Sequence, residues 1–145
     1  MKGLLIVAHG SRRISANEEI IDLAGKIKMI LPSEFQIVGA AFLEMASPNI
    51  RDKIEQYIGT GVTEIVVFPF FLAAGKHVDT DIPQIILSAQ KAHPGIAIRV
   101  TPHLGASEWL ADLIMLQAME TEREKKLKRF RYSDVEKNDS GLTDS

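Results

Sequence analysis

The alternation of two hydrophobic periods along the chain is the feature that most constrains its fold. Apolar runs typical of strands occur at residues 2–8, 35–43, 63–68 and 96–100, and the stretches that follow them repeat apolar residues at helical spacing. Four strands that alternate with four helices predict a parallel sheet with helices on both faces, because such strands need crossover connections. We therefore expect an α/β fold with a doubly wound, four-stranded, flavodoxin-like sheet.

Turn and capping residues predict where the helices begin. Ser15 opens an S-x-x-E pattern typical of a capping box, and Ser47-Pro48 places a capping serine before a proline at the first helical position. A long loop is expected from residue 69 to about residue 80. The last helix is expected to begin near residue 106 and to bury four apolar side chains, Trp109, Leu110, Leu113 and Ile114.

Length and composition favour one domain that has neither a membrane span nor a thiol site. The chain has 145 residues, no cysteine and a formal net charge of −2, which excludes disulfides and thiolate ligands and gives no overall bias towards nucleic acid. Apolar runs are too short for a membrane span, so a cytoplasmic location is expected. Residues 1–121 are expected to form the lobe, and residues 122–145 a charged, disordered tail.

Chemically versatile side chains follow each of the four predicted strands. His9 follows the first strand, Glu44 the second and His103 the fourth, and His77 lies in the loop after the third. Doubly wound sheets bind ligands outside the carboxyl ends of their strands, where the strand order reverses. A strand order of 2-1-3-4 would put this point between strands one and three, so we expect His9 and His77 to lie close together. His93 instead ends the third helix and is typical of a cap.

Two histidines at this edge have the chemistry of an open metal site. Neutral imidazole binds Fe²⁺, Co²⁺, Ni²⁺ and Zn²⁺, and it also accepts protons near neutral pH. Insertion of a metal ion into a tetrapyrrole requires both properties, because the macrocycle takes over the ion and releases two pyrrole protons. A pair of histidines with one carboxylate would hold an ion loosely, whereas four protein ligands would trap it.

Polar donors and a flexible segment flank the two histidines and suit a ligand rich in carboxylates. Guanidinium and ammonium groups bind carboxylates, and glycine allows a flat ring to approach the backbone closely. The alternative for the two arginines is a solvated helix start. The candidate substrate-binding residues are Ser11, Arg12, Arg13, Gly75 and Lys76.

Three segments, in this order and spacing, resemble the sirohydrochlorin chelatases. They are residues 5–12 (LIVAHGSR), residues 42–44 (FLE) and residues 69–83, which contain PFFL, GKHV and DIP. The resemblance is to the small, single-lobe, CbiX-type class II cobaltochelatases and covers roughly residues 1–118. It implies insertion of a divalent metal ion, Co²⁺ in the first place, into sirohydrochlorin for cobalamin biosynthesis, with no nucleotide and no prosthetic group.

The resemblance also implies roles for individual residues. His9 and His77 are expected to bind the metal and to assist deprotonation, and Glu44 to aid the proton transfer or the approach of the metal. A large macrocycle needs two walls and the chain offers one lobe, so a homodimer is expected.

Several alternatives remain open from the sequence. Iron or nickel insertion suits the same ligands as cobalt insertion. A carrier that binds metal or tetrapyrrole without turnover, and a structural flavodoxin-like module, are the non-catalytic alternatives. A histidine phosphatase is disfavoured, because Ala8 stands where its Arg-His-Gly motif has arginine.

Overall fold

A computed structural model describes residues 1–139 as two units, of which the first is Met1–Ser107. All strand pairs of its sheet are parallel, and the strands, numbered along the chain, lie in the order 2-1-3-4. The predicted fold class is therefore confirmed, and the strand order is the one assumed in placing His9 beside His77. The elements, in chain order, are β1 (Lys2–Ala8), α1 (Ile14–Met29), β2 (Ile37–Phe42), α2 (Ile50–Gly59), β3 (Glu64–Pro69), α3 (Ile82–Ala92) and β4 (Ala97–Val100).

Two apolar clusters hold the helices against opposite faces of the sheet. On one face, Ile6 of β1 and Ala40 of β2 pack with Ala24 of α1. On the other face, Leu5 and Val7 of β1 belong to the larger cluster, to which α2 and α3 contribute apolar residues at helical spacing. After Lys2, β1 contains only apolar residues and glycine, as expected for a strand with side chains buried on both faces.

The first helix begins earlier than the capping pattern predicts. Arg13 is the residue before α1, and its side chain makes no capping bond, so the predicted cap at Ser15 is wrong and Ser15 lies inside the helix. The physical reason lies in the preceding turn. The Asn17 side chain accepts a hydrogen bond from the Ser11 amide (2.9 Å) and donates one to the Ser11 carbonyl (2.7 Å), and these bonds bring the chain into the helix two residues early.

The second helix is capped by Asn49 and not by Ser47. The Asn49 Oδ1 atom accepts a hydrogen bond from the Asp52 amide at 2.8 Å, as a capping side chain does. The Pro48 carbonyl accepts a bond from the Phe42 amide (2.9 Å), so this stretch continues the pairing of β2 instead of starting a helix.

The segment before α3 is partly helical, although the sequence predicts a loop there. A π-helical turn, His77–Asp81, runs directly into α3. Its backbone is closed by a bond from the Ile82 amide to the His77 carbonyl. His77 therefore lies in a helical turn whose backbone is hydrogen-bonded to the start of α3.

The second unit begins at Glu108 and contains α4 (Leu110–Asp139), which follows a short 3₁₀ turn at Leu104–Ala106. The predicted burial is wrong for three of its four apolar residues: Trp109 is 70% exposed, Leu113 50% and Ile114 57%, whereas Leu110 is half-buried. Apolar side chains occupy consecutive positions here, so they surround the helix and do not form one stripe. The helix crosses the predicted lobe boundary at residue 121 without a break, and residues 140–145 of the predicted tail lie outside the described part. None of the helices within residues 1–139 has the length and apolar character that crossing a membrane requires.

Candidate metal site

His9 and Glu44 lie side by side because the pairing of β1 with β2 continues beyond the strands. The Leu43 amide donates to the Ala8 carbonyl (2.9 Å), and the Glu44 amide donates to the His9 carbonyl (3.0 Å). The backbone of both residues is thus fixed by the sheet itself, at its carboxyl edge. Their side chains are 45% and 50% exposed.

Gly10 allows the close approach of these two segments. It has a φ of +94°, which favours glycine, and a Cβ atom at this position would lie 1.8 Å from the Glu44 carbonyl oxygen. No other residue fits without displacing the chain around Glu44. The glycine of the His-Gly pair is therefore a structural requirement of the site.

His77 reaches the same place from the other side of β1. The Phe70 amide donates to the Val7 carbonyl at 2.7 Å, which extends the pairing of β1 with β3 towards the segment that contains His77. The rings of His9 and His77 have centroids 4.6 Å apart and are tilted by 33°. One ligand atom each from His9, Glu44 and His77 lies within 4.8 Å of the others, close enough to share one ion.

Each of the two clustered histidines has a carboxylate partner, and the two partners leave different ring nitrogens available to a metal ion. His9 Nε2 lies 2.5 Å from Glu44 Oε1, whereas His77 Nδ1 lies 2.8 Å from Asp81 Oδ2. When Nδ1 of His77 donates a hydrogen bond to Asp81 Oδ2, the lone pair on Nε2 remains for a metal ion. A metal ion could take the place of the proton that lies between His9 Nε2 and Glu44 Oε1.

The site is open. The side chain of His77 is 40% exposed and that of Asp81 is 28% exposed, so solvent or a ligand can reach the cluster. Three ligands with open coordination positions are typical of sites that exchange a ligand or an ion, whereas closed sets of four are typical of structural sites. The arrangement can therefore bind a divalent ion and release it.

The predicted substrate-binding residues lie next to the two histidines in the chain. Ser11 is half-buried, and its Oγ atom accepts a hydrogen bond from the Arg13 amide (3.0 Å). Arg12 and Arg13 are exposed, as are Gly75 and Lys76 just before the π-helical turn.

The other two histidines differ in position. His93 follows α3, and its Nε2 atom lies 2.7 Å from Glu55 Oε1 of α2, so it joins two helices on one face of the sheet. His103 precedes the 3₁₀ turn after β4 and is half-buried. Among the described residues, neither belongs to the cluster of possible metal ligands.

Two residues of the site were missed by reasoning from the sequence. Asp81 contacts His77 because four positions separate them in a helical turn, and Asn17 holds Ser11 across a turn of six residues. The spacing of His77 and Asp81 would have indicated the contact only if residues 77–81 had been predicted as helical.

The sequence of this chain is similar to a known protein family and to several named proteins. A family model described as CbiX matches residues 3–121. Sirohydrochlorin cobaltochelatase from Methanococcoides burtonii is 33% identical over 126 residues, with 81% of this chain and 95% of that protein covered. Chloroplastic sirohydrochlorin ferrochelatase from Arabidopsis thaliana is 36% identical over 112 residues, with 77% of this chain and 49% of that protein covered.

A solved structure has the same fold. The sirohydrochlorin chelatase SirB from Bacillus subtilis subspecies spizizenii, in complex with cobalt, aligns with a TM-score of 0.72 at 27% identity. The alignment covers 82% of this chain and 50% of that one. The chain thus spans nearly the whole archaeal relative, and about half the length of the plant relative and of the bacterial structure.

Proposed function

This chain belongs to the CbiX family, and on that basis we propose that it inserts a divalent metal ion into sirohydrochlorin without ATP. The observation that supports this most directly is the cluster of His9, Glu44 and His77, whose ligand atoms lie within 4.8 Å of one another at an open edge of the sheet. A loose site of this kind delivers an ion, because the macrocycle can displace its few ligands one by one.

The ligand exchange and the proton release are linked in this mechanism. The ion first displaces to solvent the proton between His9 Nε2 and Glu44 Oε1, and it binds His77 through Nε2. When the ion moves to the macrocycle, two pyrrole nitrogens lose their protons and the two imidazoles lose their metal bond. The freed imidazole nitrogens are then the nearest bases for these two protons. One proton restores the hydrogen bond between His9 and Glu44, and Glu44 passes the other to solvent.

The macrocycle needs contacts beyond the metal ligands. We assign its carboxylate-bearing edge to the donors that flank the two histidines, because guanidinium, ammonium and hydroxyl groups bind carboxylates. The small, exposed Gly75 leaves space for a flat ring: apart from its chain neighbours, no described residue has a heavy atom within 4 Å of a Cβ atom placed there. The residues of this assignment are Ser11, Arg12, Arg13, Gly75 and Lys76.

Cobalt is the favoured metal, for the cobalamin pathway. The archaeal relatives that match nearly along their full length are named sirohydrochlorin cobaltochelatases, whereas the plant relative is named a ferrochelatase. Imidazole and carboxylate ligands suit Co²⁺, Fe²⁺ and Ni²⁺ alike, so iron or nickel insertion is the second candidate function. The metal is the substrate in each case.

A homodimer completes the proposal. One lobe offers one wall to the macrocycle, and the longer relatives match this chain over about half of their length. In the second unit, α4 exposes apolar side chains that a second copy would cover: Leu113, Ile114, Met115, Leu116 and Met119.

An absorbance assay with sirohydrochlorin tests the function. Each of Co²⁺, Fe²⁺ and Ni²⁺ is added in turn to wild type, to His9→Ala and to His77→Ala. We expect the wild type to be most active with Co²⁺, and each variant to lose roughly 100-fold in kcat/KM, because it lacks both a metal ligand and a proton acceptor.

The matched control is His93→Gln, which removes an imidazole away from the cluster and keeps a donor for Glu55. It should metallate at the wild-type rate. Wild-type protein that binds Co²⁺ but does not metallate the macrocycle would identify a carrier, and full activity in the double variant of His9 and His77 would rule out this site.

A further inference from the structure

A groove of about 400 Å³ adjoins the candidate metal site. Glu44 and His77 form part of its lining, so the groove is continuous with the cluster of ligands. The rest of the lining includes Arg51 from the first turn of α2, and Gln84 and Ser88 from α3. None of these three residues has a role in the mechanism described above.

Arg51 is held in this groove by the neighbouring helix. Its Nη2 atom donates a hydrogen bond to Ser88 Oγ at 3.0 Å. A guanidinium group has five N–H donors in a planar fork, and this bond uses one of them. The remaining donors can bind a carboxylate with two parallel hydrogen bonds, the geometry for which arginine is best suited.

Among the residues that the structure describes, Arg51 has no ion-pair partner. The residue one helical turn further along α2 is Glu55, the usual position for an ion pair with Arg51. Glu55 instead contacts His93 Nε2 at 2.7 Å. Within the described part of the chain, no carboxylate forms an ion pair with Arg51. The two acidic residues of the groove that belong to the metal site, Glu44 and Asp81, are each paired with a histidine.

We propose that Arg51, oriented by Ser88 and assisted by the Gln84 amide, binds a peripheral carboxylate of the tetrapyrrole while the ring lies at the metal site. This inference rests on the proposed function, since it concerns the recognition of the same substrate. A side-chain carboxylate of the macrocycle would enter between α2 and α3, and this contact would select rings rich in carboxylates over rings with apolar substituents.

Binding of metal-free sirohydrochlorin to the full chain tests this directly, by fluorescence titration, next to steady-state kinetics. Arg51→Gln should weaken binding about ten-fold and raise KM by a similar factor, with kcat within about two-fold of wild type. The affinity of Arg51→Lys for sirohydrochlorin should lie between those of wild type and Arg51→Gln, because an ammonium group keeps the charge but not the planar set of donors. Fully esterified sirohydrochlorin should bind equally to wild type and Arg51→Gln.

The matched control is Arg99→Gln, which makes the same chemical change at an exposed arginine that pairs with Glu64, at the start of β3. It should bind sirohydrochlorin as wild type does. Co²⁺ affinity and thermal stability are measured for all variants, and Arg51→Gln should retain both.

Three outcomes decide the matter. Unchanged sirohydrochlorin affinity in Arg51→Gln overturns the inference and leaves the proposed function standing. Weaker binding that comes with lower stability or lower Co²⁺ affinity also overturns it, because Arg51 would then act only by joining α2 to α3. Wild-type protein that binds the macrocycle through Arg51 but never metallates it would support the carboxylate site and contradict the chelatase function.

Discussion

At the residue scale, the two histidines differ in the carboxylate that orients them. Glu44 contacts the Nε2 atom of His9, where it competes with an ion, whereas Asp81 contacts the Nδ1 atom of His77 and leaves Nε2 available. Asp81 is thus a positioning residue for His77, in the manner of the carboxylates that support histidine ligands in metal sites.

Replacement of Asp81 should therefore weaken metal binding without unfolding the protein. We expect Asp81→Ala to lower the Co²⁺ affinity about ten-fold, because the His77 ring loses its fixed tautomer and orientation, and Asp81→Asn to retain most of the affinity. Calorimetric titration with Co²⁺ measures both. Asp79→Ala, which removes an exposed acid from the same turn, is the control, and an equal loss in that variant would contradict the assignment.

Tyr57 is the residue whose titration is coupled to folding. Its phenol is buried and donates a hydrogen bond to the Leu4 carbonyl at 2.8 Å, and burial raises its pKa well above the usual value of 10.0. A raised pKa in the folded state means that the stabilisation is complete below pH 10 and is lost as the pH rises, because the unfolded phenol ionises first.

Wild-type protein should therefore lose stability more steeply than Tyr57→Phe above about pH 10. At pH 8 the variant should be about 1 kcal/mol less stable, since the Leu4 carbonyl loses its donor. Urea denaturation at pH 8 and pH 11 gives both numbers. Parallel loss of stability in the two proteins would contradict the raised pKa, because the Tyr57 phenol would then ionise alike in the folded and the unfolded state.

At the scale of elements, the site depends on how the turns after β1 and β2 meet. Gly10 passes so close to the Glu44 carbonyl that a Cβ atom would lie 1.8 Å from it. A second close approach joins the turns after β3 and β4, where a Cβ atom on Gly105 would lie 1.6 Å from the Leu72 carbonyl oxygen. Contacts between loops thus support the carboxyl edge of the sheet.

Gly10→Ala should therefore be costly to both stability and metal binding. The methyl group must displace the backbone at Glu44, and the positive φ adds strain, so we expect a loss of roughly 2–4 kcal/mol in the free energy of unfolding. Gly25→Ala, at an exposed position in the middle of α1 with space for a methyl group, should be neutral or stabilising. Chemical denaturation of the two variants makes the comparison, and an equally stable Gly10→Ala would contradict the packing described.

At the scale of the whole molecule, the exposed apolar residues of α4 predict self-association. We expect light scattering to give the mass of a dimer at micromolar concentration. Leu116→Glu should shift the equilibrium towards monomer, because a carboxylate at a buried apolar contact is strongly unfavourable. Gln117→Glu introduces the same charge one position later and should stay dimeric. A monomeric wild type, with or without sirohydrochlorin, would contradict the homodimer.

The sequence by itself was enough to predict the α/β class and the edge at which His9, Glu44 and His77 meet. These follow from hydrophobic periodicity and from the geometry of parallel sheets, which are properties of segments and of their connections. The predicted caps at Ser15 and Ser47 are wrong, because hydrogen bonds with other residues decide where the helices begin. The predicted burial of Trp109 is wrong too, because burial depends on packing against other parts of the chain.

Only the tertiary structure decided the contacts between distant segments. Asp81 orients His77 because residues 77–81 form a helical turn, and Ser88 holds Arg51 because α2 lies beside α3. Such contacts depend on register and on the path of the loops, where a shift of a few ångströms changes which atoms meet. Local residue patterns contain no such information, since many loop paths are compatible with the same alternation of strands and helices.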